Sequence, residues 1–358
     1  MNPIGAALVD LLDNGDFDNG DEVLGDGVYT NYRSFNEPVA GPVNLQVSAD
    51  LLIDGAVRTV WSPVFVLDVV SHMTPSQVEE IRTGLDGAGD AWEANLAEFG
   101  DTAKARKETV KAIKKLPGVR AAGVSPDGFT IWMQHDTGVY SALLLAPDPA
   151  PDQLAPLQVI TGSAVRPATV AQSAEATAPK AEIGNNKVLF WEPFADDYTS
   201  YGSFESKVRP ILDASVCPKF ESTYVHDAGC TVASLALFPS YGTVVITGHG
   251  GVVNGQVVVS TREEVSWGDW WNGNYKDRQL IPVKVRIGYD LLRTVFKAFT
   301  PAYVSRLGDF PQSLIVNTAC SGLDNDTLKD AFLGKGAAAY LGYKGAGIYT
   351  FSQGLLKT

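Results

Sequence analysis

Two short apolar runs in the second half of the chain constrain its fold more than any other feature. TVVITG (243–248) and SLIVNTA (313–319) lack the polar–apolar alternation of a strand that has one face in water. Such runs are typical of strands buried on both faces, as in parallel sheets covered by helices. Strand and helix patterns alternate around them. We therefore predict an α/β fold for 183–358, with a mostly parallel sheet and helices on both faces.

Length and composition suggest a division into domains. The chain has 358 residues, enough for two domains of about 150 residues each. A segment rich in Pro, Ala, Ser and Thr at 146–182 holds six of the 20 prolines, and it offers too little apolar surface to form a core. We therefore expect an N-terminal domain at 1–145, a linker at 146–182 and a C-terminal domain at 183–358.

The N-terminal region has the patterns of an α+β domain. Strand patterns occupy 28–70, where Asp54-Gly55 lies between two apolar runs and is typical of a hairpin turn. Helix patterns follow at 75–98 and 101–115. A three-strand meander comes next, with Asp127-Gly128 at one of its turns. No catalytic signature is recognisable in this region, so we expect a regulatory domain.

Strands and helices are also predicted individually in the C-terminal region. The prediction includes strands at 187–194, 243–248 and 313–319, and helices at 203–216 and 288–299.

Charge and composition exclude several classes of protein. Asp and Glu outnumber Lys and Arg by 41 to 28, a formal net charge of −13, so a basic nucleic-acid-binding protein is not expected. The basic helix pattern at 104–115 is expected to be a solvated face. No apolar run approaches the roughly 18 residues of a membrane span, so we expect a soluble protein. No secretory signal follows Met1, and both a cytoplasmic and an exported location stay open.

The three cysteines are too few for a disulfide-stapled fold. They are Cys217, Cys230 and Cys320, and no pair has the C-x-x-C spacing of a metal site. The spacing of Cys217 and Cys230 neither forbids nor requires a disulfide. Cys320 differs from both because it directly follows a predicted buried strand.

The two apolar runs each end in a residue with reactive chemistry. One leads into Gly248-His249-Gly250-Gly251 and the other into Thr318-Ala319-Cys320-Ser321. Sites in open parallel sheets form at the carboxyl ends of the strands, so neighbouring strands would bring the thiol and the imidazole together. A thiol needs such a base or imidazolium partner to become a thiolate nucleophile. The adjacent glycines would let a substrate backbone approach.

At these residues the chain resembles the caspase-like (clan CD) cysteine peptidases. The resembling motifs are VVITGHGG and LIVNTACSG, followed by DNDTLKDAFLGKGAAAYLGYKG, which is similar to the helix and Gly/Ala-rich strand of the CHAT and gingipain-like branches. The resemblance covers about 187–345, roughly half of the chain. Each motif is weak alone, and their order and strand context strengthen the combination.

The resemblance implies a cysteine endopeptidase with a caspase-like fold. Cys320 would be the nucleophile and His249 the general acid/base. Gly250 would donate its N–H to the oxyanion together with the N–H of Cys320. The reaction would need no cofactor, the partner would be a protein or peptide substrate, and the N-terminal domain would be regulatory, inhibitory (an intramolecular inhibitor) or substrate-recruiting. Lys180 in the linker would be a processing point.

Four carboxylates are candidates for substrate recognition. Members of this group often recognise one charged side chain before the scissile bond, and acids at the rim would favour Arg or Lys through a charge-assisted pair. The alternative is that all four are solvated loop acids, with Asp326 as a helix N-cap. The candidates are Asp196, Asp197, Asp324 and Asp326.

Other interpretations stay open at this point. His226 and Cys230 form a rival dyad, which Asp227 would orient. The acidic segment with Asp16, Asp18 and Asp21 offers oxygen ligands for Ca²⁺, although it departs from the EF-hand pattern. A catalytically inactive caspase-like binding or scaffold protein would use the aromatic loop WGDWWNGNY (267–275). A different cysteine-dependent hydrolase or acyl transferase would use the same rim.

Overall fold

The chain forms two compact units, Met1–Ser71 and His72–Thr358. The boundary differs from the predicted one, because residues 73–145 belong to the second unit and not to a separate domain of residues 1–145. The predicted linker at 146–182, including Lys180, lies outside the described residues. The computed structural model describes residues 9–15, 24–25, 27, 29, 31, 41–69, 73–145, 183–198, 203–216, 218–267, 279–287 and 290–345.

The first unit contains two pairs of antiparallel strands, as the strand patterns at 28–70 predict. Asp54 and Gly55 form the turn of the inner hairpin, with φ values of +52° and +78°. The predicted Asp-Gly hairpin is therefore confirmed. The pairs are β1 (Gly41–Leu45) with β4 (Phe65–Val69), and β2 (Ser48–Ile53) with β3 (Ala56–Trp61).

Two capped helices open the second unit. Helix α1 (Pro75–Phe99) begins at Thr74, whose Oγ1 accepts the N–H of Gln77, while Gln77 Oε1 accepts the N–H of Thr74. This reciprocal pair satisfies two donors that a helix start leaves without partners. Helix α2 (Thr102–Ile113) has Asp101 as its N-cap. Both helices are confirmed where the sequence predicts them.

A five-stranded sheet contains both apolar runs. All of its strand pairs are parallel, and its order is β17-β16-β10-β8-β9. Helix α3 (Phe204–Asp213) packs against β8 and β9, and helix α5 (Thr327–Gly334) precedes β17. The coarse α/β prediction is thus confirmed. The strands are β8 (Lys187–Glu192), β9 (Glu221–His226), β10 (Thr243–Ile246), β16 (Leu314–Asn317) and β17 (Ala339–Gly342).

The other described strands of the second unit form a mixed sheet that the sequence did not predict; the predicted parallel sheet is the five-stranded one. The order of the mixed sheet is β11-β12-β15-β13-β7-β6-β5, with β14 paired to β13. Only the β7–β13 pair is parallel; the other pairs are antiparallel. The strands are β5 (Val119–Val124), β6 (Thr130–His135), β7 (Tyr140–Leu144), β11 (Gly250–Val253), β12 (Gln256–Glu264), β13 (Leu280–Ile287), β14 (Asp290–Leu291) and β15 (Phe296–Phe299).

Strand pairing explains two differences between the sequence prediction and the structure: the strand β15 within a predicted helix, and the position of the boundary between the two units. The sequence predicts a helix at 288–299, but β15 lies between β12 and β13 in the mixed sheet. Its pairing with both neighbouring strands outweighs the short helical pattern of apolar residues in this segment. Likewise, β7 pairs with β13 across more than a hundred residues of sequence, and this pairing joins 73–145 to the C-terminal region. Helix α4 (Pro301–Val304) follows β15.

The boundary between the units leads to a test with two fragments. We expect residues 72–358 to unfold cooperatively, because this range contains both sheets of the second unit. Residues 183–358 lack β5–β7, so the paired edge of β13 would be exposed and prone to aggregation. Circular dichroism melting and size-exclusion chromatography measure the difference. Cooperative unfolding of 183–358 at the temperature of 72–358 would contradict the division.

Candidate active site

The parallel pairing of β10 with β16 places the two reactive residues at one rim. The last pair in the register is Ile246 opposite Asn317, and His249 and Cys320 each follow it by three residues. The register extends one residue further, because the N–H of Thr318 donates to the carbonyl of Ile246 at 2.8 Å. The two strands are therefore neighbours, which is the condition under which the sequence brings the thiol and the imidazole to one rim.

A network of hydrogen bonds fixes the loop that carries Cys320. Asn317 Oδ1 accepts the N–H of Ala319 at 3.0 Å, and Asn317 Nδ2 donates to the buried hydroxyl of Tyr340 at 2.8 Å. That hydroxyl donates onward to the carbonyl of Gly322 at 3.1 Å. Ser321 adopts a φ of +60°, a conformation that non-glycine residues rarely take. The chain therefore turns sharply directly after the cysteine.

The glycines after His249 make room for neighbouring backbone and side chains. A Cβ on Gly250 would lie 2.5 Å from the carbonyl oxygen of Cys320, and one on Gly251 would lie 2.2 Å from Oγ1 of Thr130. Both distances are far below van der Waals contact, so only glycine fits without a shift. The role of the Gly250 N–H as a donor to the oxyanion stays a prediction. Close packing against the carbonyl of Cys320 is a separate reason for a glycine at this position.

His249 lies in an aromatic and cationic environment. Its ring meets the Phe194 ring edge-on, with 4.7 Å between centroids. The guanidinium of Arg262 lies 4.8 Å from the Phe194 centroid and 5.4 Å from that of Phe296, and it forms an ion pair with Asp197. Phe194 thus contacts both the imidazole and the guanidinium. The guanidinium lies over the face of the ring, which is a favourable cation–π geometry.

Burial determines the charge of His249. The residue is 7% exposed, and its burial, followed by the positive charge of Arg262, lowers its pKa from 6.5 to about 3. Desolvation disfavours the charged imidazolium, and a nearby cation acts in the same direction. His249 is therefore neutral at pH 7, the state in which it can accept a proton. Cys320 is also buried, at 8% exposure.

The four carboxylates predicted for substrate recognition have different surroundings. Asp197 is paired with Arg262, so a basic substrate side chain would have to compete with that guanidinium. Asp324 lies four residues after Cys320, and its Oδ1 accepts the N–H of Gly345 at 2.6 Å. The role of all four in recognition stays a prediction.

The other two carboxylates lie at the starts of short helical segments. Asp196 begins a 3₁₀ turn, and its N–H donates to Asp227 at 3.0 Å. Asp326 occupies the N-cap position of α5, but its side chain makes no capping bond and instead pairs with Lys329 at 2.8 Å. The alternative reading of Asp326 as a helix cap is therefore correct in position and wrong in bonding.

The rival dyad lies at the end of β9 and lacks a reactive thiol. Nδ1 of His226 lies 2.9 Å from Oδ2 of Asp227, as the sequence suggests. Cys230 is a free, buried thiol whose Sγ donates to the carbonyl of Val225 at 3.3 Å. Burial raises the pKa of Cys230 well above its usual range, so the nucleophilic thiolate is disfavoured. Cys217 lies outside the described residues.

Sequence reasoning missed three residues around the site: Phe194, Arg262 and Asp127. Phe194 lies in the turn after β8 and Arg262 lies in β12, and no sequence motif connects either residue to His249. Asp127 was recognised only as part of an Asp-Gly turn, although its carboxylate also reaches Ser321. Since all three act through contacts distant in sequence, local patterns carry no signal for them.

The remaining predictions concern residues outside the described part of the chain, a metal site and a membrane span. The candidate calcium ligands Asp16, Asp18 and Asp21 are not described, nor is the aromatic loop beyond Trp267. In the described part of the chain, no group of three or more His, Cys, Asp or Glu side chains is placed to hold a metal ion. Among the helices described, none is long and apolar enough to cross a membrane.

Comparison of the chain with models of known families, with curated proteins and with solved structures found no match.

The close approach of Gly250 to Cys320 leads to a test of the loop. We expect Gly250→Ala to lower the free energy of unfolding by about 1–3 kcal/mol, because the new methyl group must displace the carbonyl of Cys320. Gly255→Ala is the control for loss of a glycine, since a Cβ there meets no neighbour within 4 Å, although its φ of +76° adds backbone strain. Urea unfolding measures both. A Gly250→Ala variant as stable as the wild type would contradict the packing.

The depressed pKa of His249 predicts a particular loss of stability in acid. Below about pH 6.5 the unfolded histidine binds a proton that the folded one does not bind until about pH 3. The stabilising contribution is thus complete above pH 6.5 and is lost as pH falls towards 3, by as much as about 5 kcal/mol. We expect His249→Gln to flatten this decline in urea unfolding between pH 7 and 4. The control is His226→Gln, whose side chain is half exposed. Equal pH slopes in His249→Gln and the wild type would argue against a neutral, buried imidazole.

Proposed function

We propose that the chain is a cysteine endopeptidase in which Cys320 and His249 form a catalytic dyad. The observation that carries the proposal is the parallel register of β10 and β16. It places the imidazole and the thiol three residues beyond the same strand pair, Ile246 and Asn317. Sites in parallel sheets form at this rim, and a thiol beside an imidazole is the minimum arrangement for acyl transfer.

The reaction would begin with a proton transfer. His249, neutral at pH 7, accepts the thiol proton as the sulfur of Cys320 attacks the peptide carbonyl, so that a C–S bond forms and the carbonyl oxygen becomes an oxyanion. Backbone N–H groups of Gly250 and Cys320 would stabilise that oxyanion. The intermediate collapses, the C–N bond breaks, and the imidazolium gives its proton to the leaving amine. Water then attacks the thioester, releasing the acid and the free thiol.

Substrate preference belongs to the same proposal. Acidic residues at the rim would attract Arg or Lys before the scissile bond. Of the four candidates, Asp324 is the best placed, because it lies on the Cys320 loop and one of its oxygens, Oδ2, is buried and has no hydrogen-bond partner within the described residues. A carboxylate oxygen in that state would gain from a cationic partner.

A peptide library tests the activity. We expect fluorogenic peptides, varied at the residue before the scissile bond, to be cleaved by the wild type and not by Cys320→Ala or His249→Ala, with losses of at least about 10³-fold. Cys230→Ala is the matched control, since it removes a second buried thiol that follows neither β10 nor β16. Equal turnover by Cys320→Ala and the wild type would overturn the assignment of the nucleophile. No turnover by any form, before or after limited proteolysis, would overturn the proposed activity.

The burial of the dyad favours a second candidate function, a caspase-like binding or scaffold protein. Cys320 and His249 are only 8% and 7% exposed, and a neutral imidazole beside Arg262 does little to stabilise a thiolate. Alkylation by iodoacetamide discriminates between the two functions. Reaction at Cys320 much faster than at Cys230 supports the peptidase, and equally slow reaction at both thiols supports the scaffold.

A further inference from the structure

Asp127 lies in the turn between β5 and β6, far in sequence from both residues of the dyad. Its Oδ1 is occupied locally, because it accepts the hydroxyl of Ser125 at 2.6 Å and the N–H groups of Phe129 and Thr130 at 2.8 and 3.0 Å. These bonds are typical of an Asx turn. They hold the carboxylate in one orientation and leave Oδ2 directed away from its own turn.

Oδ2 of Asp127 bonds to the segments that follow both reactive residues. It accepts the hydroxyl of Ser321 at 2.9 Å and the N–H of Val252 at 3.2 Å. Ser321 is the residue after Cys320, and Val252 lies three residues after His249. A third bond comes from Oγ1 of Thr130 at 2.9 Å. One oxygen therefore joins the Cys320 loop to strand β11, through two residues that are 69 positions apart in sequence.

The chemistry of these bonds requires a carboxylate. A carboxylate only accepts hydrogen bonds and offers about four lone-pair sites on its two oxygens. All of the groups that face it donate, and the N–H of Val252, on the strand at the end of the mixed sheet, cannot reverse its role. Hydrogen bonds to a charged acceptor are also stronger than those between neutral groups. An asparagine in this position would point its NH₂ group at the donors that face one of the two carboxylate oxygens, and those hydrogen bonds would be lost.

Ser321 adapts the Cys320 loop to this carboxylate, and Gly251 adapts strand β11 to it. Ser321 is fully buried and holds a positive φ, which its hydroxyl bond to Asp127 helps to offset. Gly251 has no side chain where a Cβ would meet Thr130 Oγ1 at 2.2 Å, so Thr130 can lie between the strand and Asp127. The Cys320 loop and strand β11 thus both depend on the side chain of Asp127.

We infer that Asp127 is a positioning residue that sets the Cys320 loop and the strand after His249 relative to each other. The inference rests on the proposed function of those two residues. Loss of the carboxylate would release both segments together, and the thiol would lose its fixed position at the rim that it shares with His249. Asp127 itself does not touch the reacting atoms.

Alkylation with iodoacetamide tests the inference, with the rate at each thiol followed by peptide mass spectrometry. Cys230 in the same sample is the internal reference, since global unfolding would change both rates. We expect Asp127→Asn and Ser321→Ala to change the ratio of Cys320 to Cys230 alkylation by about tenfold, as for loss of a hydrogen bond to a charged acceptor. The pH midpoint of Cys320 alkylation should also move in both variants. Asp136→Asn, an exposed carboxylate in the next turn of the meander, should leave the ratio and the midpoint unchanged.

The two variants also separate this inference from the proposed function. If Asp127→Asn does not fold, Ser321→Ala decides, because it removes only one bond to Oδ2. A wild-type ratio and pH midpoint in Ser321→Ala and in any folded Asp127→Asn would overturn the inference. Alkylation needs no peptide turnover, so an inactive wild type would count against the peptidase alone. Where turnover is measurable, we expect kcat to fall more than KM rises.

Discussion

The parallel pairing of β10 with β16 is the interaction on which the candidate site depends. It aligns Ile246 with Asn317, so an imidazole and a thiol at equal distances beyond the pair emerge at one rim. Pairing in another register would move one of them along the strand by about 3.3 Å per residue. The apolar composition of β10 suits its position in the sheet, because this central strand pairs on both edges and is buried almost throughout.

The second requirement is close approach between the two sheets around the site. Gly250 admits the carbonyl of Cys320, and Gly251 admits the hydroxyl of Thr130, so the strand after His249 lies between the Cys320 loop and the meander. Asp127 then bonds to that strand and to Ser321. The meander is therefore part of the structure that supports the site, which explains physically why 73–145 does not form a separate domain.

Local patterns were sufficient for much of the fold and for the position of His249 and Cys320 after two buried strands. Helices α1 and α2, the Asp54-Gly55 hairpin and the buried strands β10 and β16 have capping residues, turn residues or apolar runs within a few positions. The strand β15 and the boundary at residue 72 have no such signal, because they depend on pairing with β12, β13 and β7. The contacts of Arg262 with Phe194 and Asp197 are equally non-local, and so the electrostatics of His249 could not be predicted.

Those electrostatics restrict how a dyad at this rim can work. An imidazolium at His249 would be buried and would lie near the guanidinium of Arg262, which Asp197 only partly compensates. The imidazole of His249 is therefore neutral at pH 7, and a preformed thiolate–imidazolium pair would be disfavoured. The proton would move as the sulfur attacks, and the cost of the charged imidazole would fall in the transition state, where the oxyanion supplies a compensating negative charge. If the chain is the proposed peptidase, catalysis at this rim would require a substrate that excludes water and brings its carbonyl to the N–H groups of Gly250 and Cys320. A binding function would place no such requirement on the two side chains.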